Sequence, residues 1–142
     1  MDAQAERIAT NLRKGVLEYC VLALLQNRDM YGLELANALM ERGLSASEGS
    51  LYPLLARMRE AEVVDTRWEQ PAESGGTRPR RYYAITGRGR ELLVLFAGIW
   101  RGIATEVDAL VSDAVERPDA AQRSDTVERA ETVERADTEE TA

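Results

Sequence analysis

The sequence predicts a mainly α-helical fold with one small β-hairpin, and three observations lead to this prediction. Apolar residues recur at helical spacing in three segments between residues 11 and 60. Two segments rich in Val, Trp, Tyr and Ile, residues 63–70 and 80–86, are joined by a connection that contains Gly-Gly. A further apolar pattern from about residue 90 to 115 predicts one long helix. This order is that of a winged helix-turn-helix with a long C-terminal helix added.

The first two helices carry the apolar stripes of a core. After an N-terminal extension, residues 1–10, we expect helix one from about Asn11 to Gln26. Its apolar positions are Leu12, Val16, Leu17, Cys20, Val21, Leu24 and Leu25. We expect helix two from about Met30 to Glu41, with Asp29 as its N-cap and Gly43 marking its end.

Helix three is predicted to begin at Ser47, whose hydroxyl can accept a hydrogen bond from the backbone of Ser50. Its apolar stripe consists of Leu51, Leu54, Leu55 and Met58. The opposite face is small, with Gly49, Pro53, Ala56 and Glu60 flanked by Ser50 and Arg57 on one side and by Tyr52 and Arg59 on the other. Pro53 in a helix interior would remove a hydrogen bond, a local cost typical of functional positions. An ordinary core helix with an early proline fits this segment equally well.

The hairpin and its surroundings are basic. No acidic residue occurs between Ser74 and Arg90, and five arginines fall there: Arg78, Arg80, Arg81, Arg88 and Arg90. A solvated charge run is the usual explanation of such a cluster. Beside a helix with a small outer face, however, it favours a hairpin that contacts DNA phosphates.

The long C-terminal helix, placed within residues 88–116, has an apolar arc wider than a domain of this size needs to cover. We expect it to form a helix-helix interface with a second copy of the chain. The dimerisation candidates are Leu92, Phe96, Ile99, Ile103, Val107 and Leu110.

An acidic tail, residues 117–142, ends the chain. It contains four arginines against eight acidic residues, so −4 of the net charge of −7 lies there and −3 lies in residues 1–116. Three hexapeptide repeats from Asp125 to Ala142 match no heptad and contain only two sizeable apolar residues. We expect a disordered tail, whose role is either inert or electrostatic.

Composition argues against an enzyme. The chain has no histidine and one cysteine, and it has no glycine-rich phosphate loop and no plausible set of metal ligands. Cys20 lies in an apolar run, which favours a buried thiol over a redox sensor. Without a signal peptide or a membrane-spanning segment, a cytoplasmic protein with no cofactor is expected. The acidic net charge leaves a second class open, a winged-helix module that binds proteins and not DNA.

The residues resemble those of the PadR-type transcriptional regulators, in particular the short subfamily with a single C-terminal dimerisation helix. The resemblance covers roughly residues 12 to 112, in the family's order and spacing. It is carried by Leu12 to Glu18, Tyr31 to Leu35, Ser47 to Pro53, Leu54 to Met58 and Arg80 to Thr86 with Gly89. The sequence departs from the family in two turns: Glu62 replaces a glycine, and Tyr31-Gly32-Leu33 replaces His-Gly-Tyr.

The resemblance implies a homodimeric repressor that binds a pseudo-palindromic operator, often upstream of its own gene or of a transporter gene. Nine residues are the DNA-binding candidates: Ser47, Gly49, Ser50, Tyr52, Pro53, Arg57, Arg78, Arg80 and Arg81. The resemblance also implies an effector, a small planar aromatic compound held near Trp100, at the matching position of the family. Phe96, Ile103 and Tyr19 are the further candidates for that pocket. A plain packing role for Trp100 in the dimer interface is the alternative.

Overall fold

A computed structural model of the chain describes residues 2–45, 47–70 and 78–117. The elements in chain order are α1 (Ala3–Asn27), β1 (Met30–Tyr31), α2 (Gly32–Glu41), α3 (Leu51–Glu60), β2 (Val64–Glu69), β3 (Arg80–Ile85) and α4 (Gly87–Glu116). The strands form an antiparallel sheet in the order β1-β3-β2. The predicted fold class is therefore confirmed, and the expected hairpin is the larger part of a three-stranded sheet.

Helix α1 begins at Ala3, so the boundary predicted at Asn11 is wrong. The Asp2 side chain caps the helix by accepting a hydrogen bond of 2.7 Å from the backbone N–H of Ala5. Residues 3–10, expected to precede the helix, form its first turns because this cap precedes a run of good helix formers.

The turn between α1 and α2 also differs from the prediction. Met30 and Tyr31, expected in helix two, pair with Tyr83 and Tyr82 of β3. Tyr31 and not Asp29 is the N-cap of α2, and its backbone N–H donates to the Glu34 carboxylate at 3.2 Å. These two residues form a strand because β3 pairs with β2 along one edge only, and its other edge can accept a further strand.

Helix α2 ends where Gly43 was predicted to end it. Gly43 has φ +71°, and the backbone N–H of Leu44 donates to the Leu39 carbonyl at 2.8 Å. This is the glycine-terminated Schellman arrangement.

Helix α3 begins at Leu51, so Ser47 is not its N-cap. Ser50 takes the cap position, and residues 48–50 form a separate turn in which the Leu51 N–H donates to the Glu48 carbonyl at 3.1 Å. Pro53 therefore lies in the first turn of the helix, where backbone N–H groups have no partner within the helix. The local cost assigned to Pro53 from the sequence does not arise.

The hairpin of β2 and β3, called the wing below, pairs six residues on each strand, from Val64 opposite Ile85 to Glu69 opposite Arg80. Residues 71–77 of the predicted connection lie outside the described residues. The inward faces of the helices and the sheet meet in one core. Its fully buried large side chains are Val21, Leu22, Leu25, Leu35, Leu39, Leu51, Leu55, Met58 and Val64. Cys20 packs against this core, and burial raises the pKa of its thiol.

The chain divides into two compact units within α4, Met1–Gly98 and Ile99–Ala142. In the first unit, Leu92 and Leu93 pack against the core. In the second unit, the described part of α4 carries apolar side chains that are 47% to 74% exposed. They are Ile99, Trp100, Ile103, Val107, Leu110, Val111 and Val115. The acidic repeats lie outside the described residues.

Candidate nucleic-acid interface

Helix α3 presents the small outer face that its sequence predicts. Leu51, Leu54, Leu55 and Met58 are buried in the core, whereas Tyr52, Pro53, Ala56 and Arg57 are exposed. Gly49 and Ser50 are exposed in the turn that leads into the helix. The side chains of α3 therefore separate into a core stripe and an outward face with little bulk, which suits close approach to a DNA groove.

Three serines shape the approach to α3. The Ser50 hydroxyl donates to the Ser47 carbonyl at 3.1 Å, and the Ser45 hydroxyl donates to the same carbonyl at 3.0 Å. The Ser47 hydroxyl in turn donates to Ser50 Oγ at 3.3 Å. These bonds fix the turn, and each hydroxyl oxygen keeps a lone pair that can accept a further hydrogen bond.

Tyr52 links α3 to the start of α2. Its ring lies against Gly32, where an added Cβ would come within 2.8 Å of Tyr52 Cε1. Its hydroxyl donates to the Glu48 carboxylate at 3.1 Å, and burial together with Glu48 raises the pKa of the phenol. The side chain is still 44% exposed, so Tyr52 has a fixed position and an open edge.

The wing arginines lie over aromatic rings. The Arg80 guanidinium is 4.5 Å from the centre of the Tyr31 ring, and that of Arg81 is 5.3 Å from the Trp68 ring. Arg81 is opposite Trp68 in the register, and Trp68 is 64% exposed. Buried Arg81 Nε has no hydrogen-bond partner in the described part of the chain. These cation–π contacts orient both arginines without neutralising their charges.

A groove of about 350 Å³ separates the wing from α3 and the start of α2. We call it the wing groove, and its lining is Tyr31, Gly32, Leu33, Tyr52, Trp68, Arg80, Arg81 and Tyr83. It brings together three of the predicted DNA-binding residues, Tyr52, Arg80 and Arg81. Arg78 is exposed and is not part of this lining.

A second hollow, of about 440 Å³, lies between α1 and α3. We call it the α1 hollow, and its lining is Thr10, Arg13, Lys14, Leu17, Leu44, Ser45, Ser47, Ser50, Leu54 and Arg57. It brings together the predicted residues Ser47, Ser50 and Arg57. Lys14, the sole lysine of the chain, was not among the predicted DNA-binding residues, because the sequence analysis treated α1 only as a core helix.

An ion-pair network ties the wing to the turn before β1. The Arg67 guanidinium bonds the Asp29 carboxylate, and it lies 3.4 Å from a Glu69 carboxylate oxygen. Its pKa is raised first by the hydrogen bond to Asp29. The same guanidinium lies 5.0 Å from the centre of the Tyr82 ring. The network positions the wing, and the pairing of residues 38 positions apart could not be seen in the sequence.

The predicted effector residues fall in both units. Tyr19 and Phe96 of the first unit stack on each other, with ring centres 4.1 Å apart and planes 4° apart. Trp100 and Ile103 belong to the second unit and are about half exposed. The structure therefore pairs two of these four candidates directly.

Residues 2–45, 47–70 and 78–117 contain neither a metal site nor a membrane-spanning helix. No group of three or more His, Cys, Asp or Glu side chains in these ranges could hold a metal ion. Within the same ranges, no helix combines the length and the apolar character needed to cross a membrane.

Comparisons with known proteins agree on one family. Residues 21–94 match the family model described as the transcriptional regulator PadR-like family. A PadR-like transcriptional regulator from Bacillus cereus is 35% identical, with 71% of this chain and 96% of that chain covered and a TM-score of 0.64. A PadR family transcriptional regulator from Eggerthella lenta is 28% identical, with 75% of this chain and 91% of that chain covered and a TM-score of 0.66. A PadR family transcription regulator from Clostridium difficile is 27% identical, with 68% of this chain and 98% of that chain covered and a TM-score of 0.61.

Proposed function

Because this chain belongs to the PadR-like family of transcriptional regulators, we propose that it is a sequence-specific DNA-binding repressor that acts as a homodimer and responds to a small ligand. The observation that carries the proposal is the exposed outer face of α3, which lies between the wing groove and the α1 hollow. A helix of this kind reads bases in a major groove while neighbouring cations bind phosphates.

Within this function, the wing supplies contacts that do not depend on sequence. Arg80 and Arg81 are held over aromatic rings beside Tyr52, and the exposed Arg78 adds a further cation. Charged guanidinium groups in fixed positions favour phosphate binding, whereas Ser50, Tyr52 and Pro53 lie where base edges would approach.

The exposed apolar face of α4 supports the homodimer. Such a face on a soluble chain calls for a partner, and a second copy offers an identical surface. A two-fold dimer carries two copies of α3, which would match the two halves of a pseudo-palindromic operator.

A planar aromatic effector is the remaining element of the proposal. Tyr19 and Phe96 provide an aromatic wall in the first unit, and Trp100 and Ile103 offer further apolar surface on α4. A compound that binds at Trp100 in the dimer would change the spacing of the two α3 helices, and this change would couple ligand binding to DNA affinity.

The acidic net charge of −7 is the feature that favours the other candidate, a winged-helix module that binds proteins. Selection of fragments of the source genome by the full chain, followed by binding at increasing salt concentration, separates the two. A DNA reader retains a small set of fragments, and its binding constant falls steeply with salt. A protein-interaction module retains no specific fragment, and that result would refute the proposed function.

A further inference from the structure

Cations border the outer face of α3 on both sides. The wing groove places Arg80 and Arg81 on the flank that carries Tyr52. The α1 hollow places Lys14 on the flank that carries Ser50 and Arg57. On a helical wheel these two flanks lie on opposite sides of Pro53, so the wing can supply cations to only one of them.

The cations of the α1 hollow differ in whether their side chains already form hydrogen bonds or ion pairs within the protein. Arg13 donates from Nε to the Gly43 carbonyl at 2.9 Å and forms an ion pair of 3.1 Å with Glu6. The side chains of Lys14 and Arg57 form no hydrogen bond or ion pair with any other residue that the structure describes, and no acidic residue lines the hollow. Two cations without a counter-ion therefore face the same space.

We propose that Lys14 and Arg57 bind a backbone phosphate of the DNA strand opposite to the one that the wing binds. This inference rests on the proposed function. A helix in a major groove about 12 Å wide has a phosphate strand on each side. The wing and the α1 hollow then hold the two strands that border one groove.

The shape of the hollow agrees with a phosphodiester as the occupant. Its lining combines three buried or half-buried apolar side chains, Leu17, Leu44 and Leu54, with four exposed polar or charged ones, Lys14, Ser47, Ser50 and Arg57. A nucleotide of the backbone has the same division, since the carbon face of the deoxyribose is apolar and the phosphate is charged. A lysine that binds phosphate in this way acts independently of sequence, because the ammonium group is a point charge.

The test compares the parent protein with Lys14→Ala and Lys14→Arg on a selected operator duplex and on an unrelated duplex, from low to high salt. For Lys14→Ala, we expect weaker binding to both duplexes and a salt slope smaller by about 0.9 for each phosphate that the variant no longer neutralises. Lys14→Arg should keep the parent slope. Arg101→Ala, which removes an exposed cation in the second unit, is the matched control and should leave the slope unchanged.

Phosphate-ethylation interference then locates the bound phosphate. Lys14→Ala should abolish interference along one border of the groove, and Arg80→Ala with Arg81→Ala should abolish it along the other. An unchanged salt slope for Lys14→Ala would overturn the inference while leaving the proposed function intact. A change of oligomeric state in Lys14→Ala, measured by sedimentation, would overturn it too, since the hollow would then belong to an interface between copies. If the parent protein itself binds no duplex, the proposed function fails.

Discussion

The Thr86 hydroxyl donates a hydrogen bond of 2.7 Å to the backbone carbonyl of Glu62. The same hydroxyl oxygen accepts a bond of 3.1 Å from the Gly89 N–H. Thr86 thus connects the end of α3 to the beginning of α4 at the base of the wing. Gly89 is required there, because a Cβ at that position would collide with the Val63 carbonyl.

The backbone of Glu62 at this junction has a strained, left-handed conformation. Its φ is +62°, and the N–H of Val63 donates to the Met58 carbonyl at 3.1 Å, as in the glycine-terminated end of α2. Among the described residues, Glu62 is the only one other than glycine with a positive φ. The departure from the family's glycine therefore lies at the position where a side chain is most costly.

We predict that Glu62→Gly raises the free energy of unfolding by about 1 kcal/mol, because it relieves the left-handed backbone and keeps the carbonyl that Thr86 binds. Denaturant unfolding measures the change. Glu60→Gly is the matched control, since Glu60 is the last residue of α3, and there the same substitution should destabilise by up to about 1 kcal/mol. A decrease in stability in Glu62→Gly would contradict the strain argument.

The wing predicts a non-specific effect on DNA binding. Replacing Arg80 and Arg81 by alanine should weaken binding to every duplex and reduce the salt slope, whereas Ser50→Ala should alter the preference among sites. Anisotropy titrations with matched and mismatched duplexes measure both effects. Should the double arginine variant bind its operator as tightly as the parent at physiological salt, the wing does not contact phosphate.

The exposed face of α4 predicts the oligomeric state. Ile103→Glu combined with Leu110→Glu should give a folded monomer, because both side chains are more than half exposed within one chain and a dimer would bury their charges. Sedimentation velocity measures the mass, and the monomer should have little operator affinity because it contacts one half-site. The control Glu106→Gln should remain dimeric. A dimer of the double variant would place the interface elsewhere.

Trp100 predicts an optical signal of the effector. In Trp68→Phe, the remaining indole is Trp100, and a planar aromatic compound that releases the protein from DNA should quench its fluorescence. In Trp100→Ala, both the quench and the effect on DNA binding should disappear. An unchanged response of Trp100→Ala would assign this indole to packing and place the effector site elsewhere.

The sequence by itself determined the order of the four helices and the two wing strands, and the division of α3 into a core stripe and an outer face. Both follow from helical periodicity, which is a local property of the chain. The end of α2 at Gly43 was also predictable, because glycine takes a positive φ at little cost. The arginines of the wing were visible in the same way, as a stretch without acidic residues.

Tertiary structure decided the features that depend on residues far apart in the chain. Met30 and Tyr31 became a strand because β3 offers them an edge, and Asp29 pairs with Arg67 of the wing rather than capping α2. Pro53 lies in the first turn of its helix, since α3 starts at Leu51. Lys14 and Arg57 line the same hollow only because α1 packs beside α3. Periodicity shows which face of a helix is buried, but only packing shows which side chains of different elements meet.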